Sequence, residues 1–422
     1  MAFNTALSGL NAASNMLSVT GNNVANANTT GFKKSRSEFA DVYASSLGGV
    51  SSITPGAGVR VTNVAQQFNQ GNLEFTENNL DLAISGDGFF VLGDNIDNIN
   101  ERVYSRAGAF HMDRDGYVVN HLGQPLLVYA PNGDTVEEGF STGVFQTLQL
   151  DSTQGLPKAT SSIDMGVNLD SRKSVPTTAI FNPTDPTSYT HSTSVTIYDS
   201  LGNTHIQTSY YVKDAALNTW NLHVYVDGQN MLGGGTPDPT VLTFDADGKL
   251  DTVNGSALTT QFTTNSVATI NPSAQPIQLT IDLAGSTQLG SAFSVNTLNQ
   301  DGLTIGRLTG VDIDDTGVVF ARFSNGASKP LGQVAMVRFQ NPQGLSKLGD
   351  TTWAESANSG VPINGVAGTS SFGSIKAGAL EGANVDLAQQ LVNLIVAQQA
   401  YQANAQTITT ENSITQALLN IR

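Results

Sequence analysis

The segment LAQQLVNLIVAQQAYQANAQTITTENSITQALLNIR, residues 387–422, decides how the chain is read. Within it Leu387, Leu391, Leu394, Gln398, Tyr401, Ala405, Ile408, Asn412, Thr415 and Leu419 recur in steps of four and three. That spacing places them on one seam of a helix. The opening of the chain repeats it in Phe3, Leu7, Leu10, Ser14, Leu17, Gly21, Val24 and Asn28. Both seams carry polar or small residues where a stable coiled coil has Leu or Ile, and Gly21 costs about 1 kcal/mol relative to Ala. Two such helices at opposite ends predict pairing with each other and with neighbouring copies, each ordering on packing rather than alone.

Working inward from the ends, the first helix is expected over Phe3 to Asn28, with Gly31 permitting a left-handed stop. An irregular connector with some extended structure follows from Phe32 to about Gln70, holding the run SSLGGVSSITPGAG. From Gly71 the period changes from helical to alternating, and three hairpins are expected. The first turns at Ser85-Gly86-Asp87-Gly88 between Leu80–Ile84 and Phe89–Leu92. The second turns at Asp113 to Gly116, and the third brackets Asn132-Gly133. A separate β region follows, with strands flanking the turn Asp199 to Asn203 and an alternating strand from Trp220 to Val226. Its loops TDPTS and GGGTPDPT are turn-rich. Further strands come at Ile305 to Ile313, Val318 to Arg322 and Leu331 to Phe339.

The expected fold is mainly β, with one β domain inserted into another and terminal helices forming a coiled coil in an assembled polymer. Its parts are a helical coiled-coil domain at 1–30 and 380–422, connectors at 31–70 and 360–379, an inner β domain at 71–145 and 285–359, and an inserted outer β domain at 146–284.

The 422 residues hold 19 Lys and Arg against 35 Asp and Glu, a formal charge of −16. Such a balance argues against nucleic acid, whose phosphates need clustered cations. The one basic cluster, Lys33, Lys34 and Arg36, reads as a solvated turn or a subunit contact. There is no cysteine, which removes disulfides, thiolate metal sites and cysteine nucleophiles. No segment approaches the roughly 20 apolar residues of a membrane helix, so no membrane insertion is expected. The N-terminus lacks the basic start and apolar core of a secretory signal.

Searching for chemistry gives nothing catalytic. Gly139-Phe140-Ser141-Thr142-Gly143 has the spacing of a nucleophile elbow, but the residues after it read as strand rather than helix. The pairs Asp113/Asp115, Asp245/Asp247 and Asp312/Asp314 resemble calcium loops, yet each lacks the closing carboxylate. The histidines at 111, 121, 191, 205 and 223 follow no metal-binding spacing. The chain is therefore expected not to be an enzyme and to need no cofactor or metal.

Three stretches carry a family resemblance. SGLNAASNMLSVTGNNVANANTTGFKKSRSEFADVY near the start resembles the N-terminal signature of the bacterial flagellar rod and hook protein family, with Asn23, Asn26, Gly31, Phe32 and Lys33 in its most specific part. NLDLAISGDGFFVL followed by YSRAGAFHMDRDGYVVNHLGQPLL resembles that family's β-domain signature, including Asp81, Gly86, Gly88, Phe89, Arg106 and Gly108. The ending LEGANVDLAQQLVNLIVAQQAYQANAQTITTENSITQALLNIR resembles its C-terminal signature, with Asn384, Asp386 and Gln398. Gln399 stands where Arg is common in the family.

Length and the inserted middle domain match the hook-type members, whereas rod subunits are shorter. The resemblance implies a structural subunit that polymerises into a curved helical tube, a universal joint passing torque from rod to filament. It further implies export through the flagellar type III apparatus without cleavage, an extracellular location, and neighbours among the distal rod, hook cap and hook–filament junction proteins. The alternatives are a distal rod or hook-associated subunit, or, from another class, a secreted β-rich adhesin or enzyme.

Overall fold

The computed structural model describes residues 2–42, 56–150, 155–232, 238–256, 260–266, 272–369 and 371–420. Most of the SSLGGVSSITPGAG run and the start of GGGTPDPT lie outside the described residues. The chain is mainly β with a helix at either end, and it divides into two compact units. The first holds Met1–Asp151, Gly310–Arg322 and Ser328–Arg422, and the second holds Ser152–Thr309 and Phe323–Ala327.

In the first unit, helix α1 spans Ala2–Ala25 and helix α2 spans Leu387–Asn420. They run antiparallel: Asn23 meets Gln390, Gly9 faces Asn404, and Phe3 lies near Ile408 and Asn412. Helix α1 stops three residues before the expected Asn28, and Gly31 takes a left-handed φ of 70° in the turns beyond it.

The strand Phe89–Gly93 lies at the centre of this unit. It pairs with Arg102–Ser105 on one side and Met336–Arg338 on the other, within a six-stranded sheet. Because side chains alternate across a strand, Phe90 and Leu92 enter one core with Ile84, Phe110, Leu126 and Val334. Phe89 and Val91 enter another with Tyr104, Phe339 and Trp353. A strand covered on both faces needs a continuous apolar run, and FFVL is one. A five-stranded sheet, built on Leu127–Pro131 and Val318–Phe323, supplies more of these cores.

Two of the three expected hairpins of this region form, at 113–116 and around Asn132. The first does not. Leu82–Ser85 pairs with Ser374–Ala377 rather than with Phe89–Gly93. Gly86 and Gly88 adopt φ of 116° and 132°, and the Arg106 guanidinium holds the Gly86 carbonyl, so the chain crosses to a different sheet instead of folding back. The extended structure expected in the first connector takes the form of paired strands, and the second connector is paired as well. Ser35–Asp41 and Val59–Gln66 form an antiparallel ribbon. Ile363–Gly365 and Ser374–Ala377 join the β structure.

The second unit has a sheet ordered His191–Tyr198, Thr204–Lys213, Thr219–Val226, Thr240–Phe244 and Leu250–Val253. The expected turn at 199–203 joins its first two strands. Trp220, Leu222, Val224 and Val226 point into one core with Ile163, Val167, Leu242 and Ile281. The return to the first domain was expected at 285, but Thr287–Leu289 and Ser294–Gln300 both pair with Ser162–Asp170. They therefore belong to the second unit. Alternation identifies a strand without identifying its partner, which is why the boundary lies later than the sequence suggested.

Candidate functional site

The expected helix seams meet only in part within this chain, as where Phe3 lies near Ile408 and Asn412. Phe3, Leu7, Leu387, Leu391, Tyr401 and Leu419 are exposed, and Leu10, Leu17, Val24, Leu394 and Ile408 are half-buried. The buried positions are Ala6, Ala13, Thr20 and Asn23 on α1, and Gln390 and Ala397 on α2. Ala6, Ala13 and Thr20 recur at intervals of seven, as do Gln390 and Ala397, on a neighbouring stripe of small and polar residues that Asn23 extends. A Cβ on Gly9 would press on the Asn404 side chain, so glycine there lets the backbones approach. Large side chains are consequently pushed to the outer faces, where Leu391, Val392, Ile395 and Val396 of α2 are each about half exposed (51%, 54%, 52% and 50%).

Most of the signature residues converge on one junction, where both chain ends attach to the β structure. Asn23 reaches out of α1: its amide nitrogen donates to the Ser35 carbonyl at 2.8 Å and to Gln390 Oε1 at 3.1 Å, and its oxygen accepts from Ser35 N at 2.9 Å. Asn26 donates to the Asn22 carbonyl and accepts from the Thr29 hydroxyl, closing the turn after the helix. Gly31 packs so closely on Arg106 and Ala107 that a Cβ would strike backbone. The Phe32 carbonyl accepts from Asn384 N. Asn384 also accepts from Lys34 N and donates to the Gln67 and Asn69 carbonyls.

At the centre, Lys33 Nζ meets Glu381 Oε1 at 2.6 Å and the Asn69 carbonyl at 2.9 Å. Arg106 Nη1 meets Glu381 Oε2 at 3.3 Å, and its Nη2 donates to the Gly86 carbonyl at 2.8 Å. The side chains of Lys33 and Glu381 are fully buried and that of Arg106 nearly so. Burial pushes both cations below their ordinary pKa ranges, and Glu381 opposes the shift in each. Lys33 is therefore not in a solvated turn, as the basic cluster had suggested, whereas Arg36 is exposed. No spacing rule pointed to Glu381, and nothing in the local sequence set Lys33 apart from Lys34 and Arg36.

The other signature residues support the same junction. Asp81 accepts from the Thr76 hydroxyl and the Asn78 amide, and its carbonyl accepts from Ala379 N. Gly88 has Met336 packed where a side chain would stand, and a Cβ on Gly108 would strike the Leu82 carbonyl. Phe89 lies edge-on against Phe68 and Trp353, with the Arg106 guanidinium over its ring. Asp386 Oδ1 accepts from Gln389 N at the start of α2, whereas Gln398 is exposed.

The motifs considered for chemistry have structural partners. Ser141 lies in the strand Phe140–Thr147. Asp113 and Asp314 each accept two turn N–H groups through Oδ1, and Asp245 Oδ1 accepts from Lys249 N. His205 contacts Asp227 and Asp199, and His223 contacts Asp238 while stacking on Phe181. Among the described residues no helix is long and apolar enough to cross a membrane.

An antiparallel pair of end helices, fixed to β structure by a buried ionic junction and apolar on its outer face, describes a subunit built to pack against others. Family models agree along the chain. Residues 3–33 match the flagella basal body rod protein, 83–164 the flagellar hook protein FlgE/F/G D1 domain, 168–303 the flagellar basal body protein FlaE D2 domain, and 376–421 the flagellar basal body rod FlgEFG protein C-terminal region. The flagellar hook protein FlgE of Escherichia coli (strain K12) is 37% identical over 427 residues, covering 100% of both chains. That of Salmonella typhimurium (strain LT2) is 37% identical over 425 residues, again across 100% of both. The crystal structure of Helicobacter pylori flagellar hook protein FlgE2 shares the fold with a TM-score of 0.53 at 17% identity, covering 73% of this chain and 100% of that one. The chain belongs to the flagellar hook protein family, and its role is that of a structural hook subunit.

Proposed function

We propose that this subunit polymerises with copies of itself into a curved helical tube outside the cell, which passes torque from rod to filament while bending. The carrying observation is the half-exposed apolar band on α2, since a helix already paired on its small-residue face has no use for a second apolar face in an isolated chain. Copies of the same helix are the partners that cover it. The weakly apolar contact between α1 and α2 supports helices that become fully ordered on assembly.

The remaining partners follow from a place between rod and filament: the distal rod at one end, the junction proteins at the other, and a cap during growth. Export through the flagellar type III apparatus without cleavage fits an N-terminal segment that takes part in the folded junction. Binding and assembly, not catalysis, account for the residues singled out in the sequence.

The test compares the full chain with one ending at residue 386, under polymerising conditions. The full chain forms tubes visible by electron microscopy and gains helix by circular dichroism on assembly; the shortened chain stays monomeric. Tubes from the shortened chain would overturn the assembly role of α2, and equal helix content before and after assembly would overturn ordering on assembly.

A further inference from the structure

We propose that Glu381 makes docking of the N-terminal segment conditional on prior docking of the C-terminal one. The inference builds on the reading that the chain ends order on packing, and it assigns the order and the residue responsible. Glu381 is the last residue of the strand Ala379–Glu381, which pairs with Leu73–Phe75 and sets Glu381 opposite Leu73. Its Oε1 accepts from Lys33 Nζ at 2.6 Å and from Gly71 N at 2.8 Å; its Oε2 accepts from Arg106 Nη1 at 3.3 Å. Its main-chain carbonyl accepts from Gly31 N at 2.7 Å. The N-terminal segment thus touches Glu381 through both backbone and side chain.

The consequences of losing each segment differ. Without residues 2–34, Glu381 keeps Arg106 and Gly71 N, so the C-terminal segment retains a paired carboxylate. Without the C-terminal segment, Lys33 would dock beside Arg106 with no carboxylate between them. The two cations repel, and Arg106 lowers the pKa of Lys33. Asp87 acts on Arg106 but makes no ion pair with Lys33. A buried charge stripped of its partner is strongly destabilising, whereas removing both partners costs far less. The N-terminal segment therefore waits for Glu381, and the reverse dependence is weaker.

The test is hydrogen exchange, read by mass spectrometry on the full chain, in whichever state of the wild type protects residues 29–35. Glu381→Gln preserves shape and removes the charge. It raises exchange across 29–35 roughly a hundredfold or more, raises it less across 379–386, and leaves 89–93 unchanged. Lys33→Met has a smaller effect, because Glu381 still pairs with Arg106. The double variant Lys33→Met/Glu381→Gln exchanges more slowly across 29–35 than Glu381→Gln alone. Unchanged protection of 29–35 in Glu381→Gln, or strictly additive single effects, would overturn the proposal by making the site ordinary packing. Protection of 29–35 in the unassembled wild type would instead count against ordering on assembly while leaving this comparison intact.

Discussion

Asn23 Nδ2 donates to Gln390 Oε1 at 3.1 Å, joining side chains separated by 367 positions in the chain. The same Asn23 amide also secures both backbone groups of Ser35, so one side chain links α1, α2 and the ribbon that follows α1. Asn23→Ala leaves these groups unpaired at a largely buried site, a loss of about 2 kcal/mol. Limited proteolysis should then cut faster within residues 26–41. Asn15→Ala, which removes one contact with the Ser37 hydroxyl, should change the rate much less. Equal rates in the two variants would contradict a special role for Asn23.

The outer face of α2 predicts an effect confined to assembly. Val392→Asp combined with Ile395→Asp leaves the small-residue stripe toward α1 untouched. Each native side chain has about half its surface free, and covering that surface contributes on the order of 1 kcal/mol per residue. The critical concentration for polymerisation should rise roughly tenfold or more, with an unchanged monomer circular dichroism spectrum. Normal polymerisation would show that this face stays in solvent.

Much of the β architecture was legible, and the reasons are specific. The FFVL run is continuous because Phe89–Gly93 is covered on both faces, and the Trp220–Val226 alternation is clear because one face of that strand enters a core. Turn residues located the hairpins at 113–116 and 199–203. Three features were not legible. Large apolar residues mark a heptad seam in a sequence, but here Ala6, Ala13 and Ala397 are the buried positions and Leu391 is half exposed. The glycines of 85–88 look like a hairpin turn until Arg106, distant in sequence, takes the Gly86 carbonyl. Lys33 among other cations looks solvated, because its counter-charge lies 348 positions away.

Asp301 predicts an acid-sensitive second unit. Partial burial pushes its pKa up, but this is outweighed by the Ser162 and Ser161 N–H groups, the Ser161 hydroxyl and Lys158, which bring it down to about 2 from 3.8. A carboxylate with a depressed folded pKa contributes stability above its unfolded value, and that stability is lost as pH falls from about 4 through about 2. Screening by solvent limits the contribution to about 1 kcal/mol. Asp301→Asn should be less stable at neutral pH and show a flatter stability profile across this window in urea titrations. A profile parallel to wild type would exclude Asp301 as the titrating group.

The two tryptophans report on different units. Trp220 is fully buried in the second, with Nε1 donating to Gln288 at 2.9 Å. Trp353 lies in the first, donating to Gln66 at 2.7 Å. Trp220→Ala should cost the second unit about 3–5 kcal/mol. The denaturation midpoint read from Trp353 fluorescence should stay in place. A parallel shift would mean that the two units unfold as one.

The antiparallel pairing of α1 with α2 has a consequence for how the molecule is made. Helix α1 is synthesised long before α2, and their contact spans several hundred residues of sequence, as the 367 positions between Asn23 and Gln390 show. Every β strand has been synthesised before α1 can find its partner. A chain interrupted upstream of α2 carries a first helix that can meet the ribbon after it but has no helical partner of its own. Products truncated before α2 are thereby barred from building the helical pair, and only chains synthesised through α2 present it.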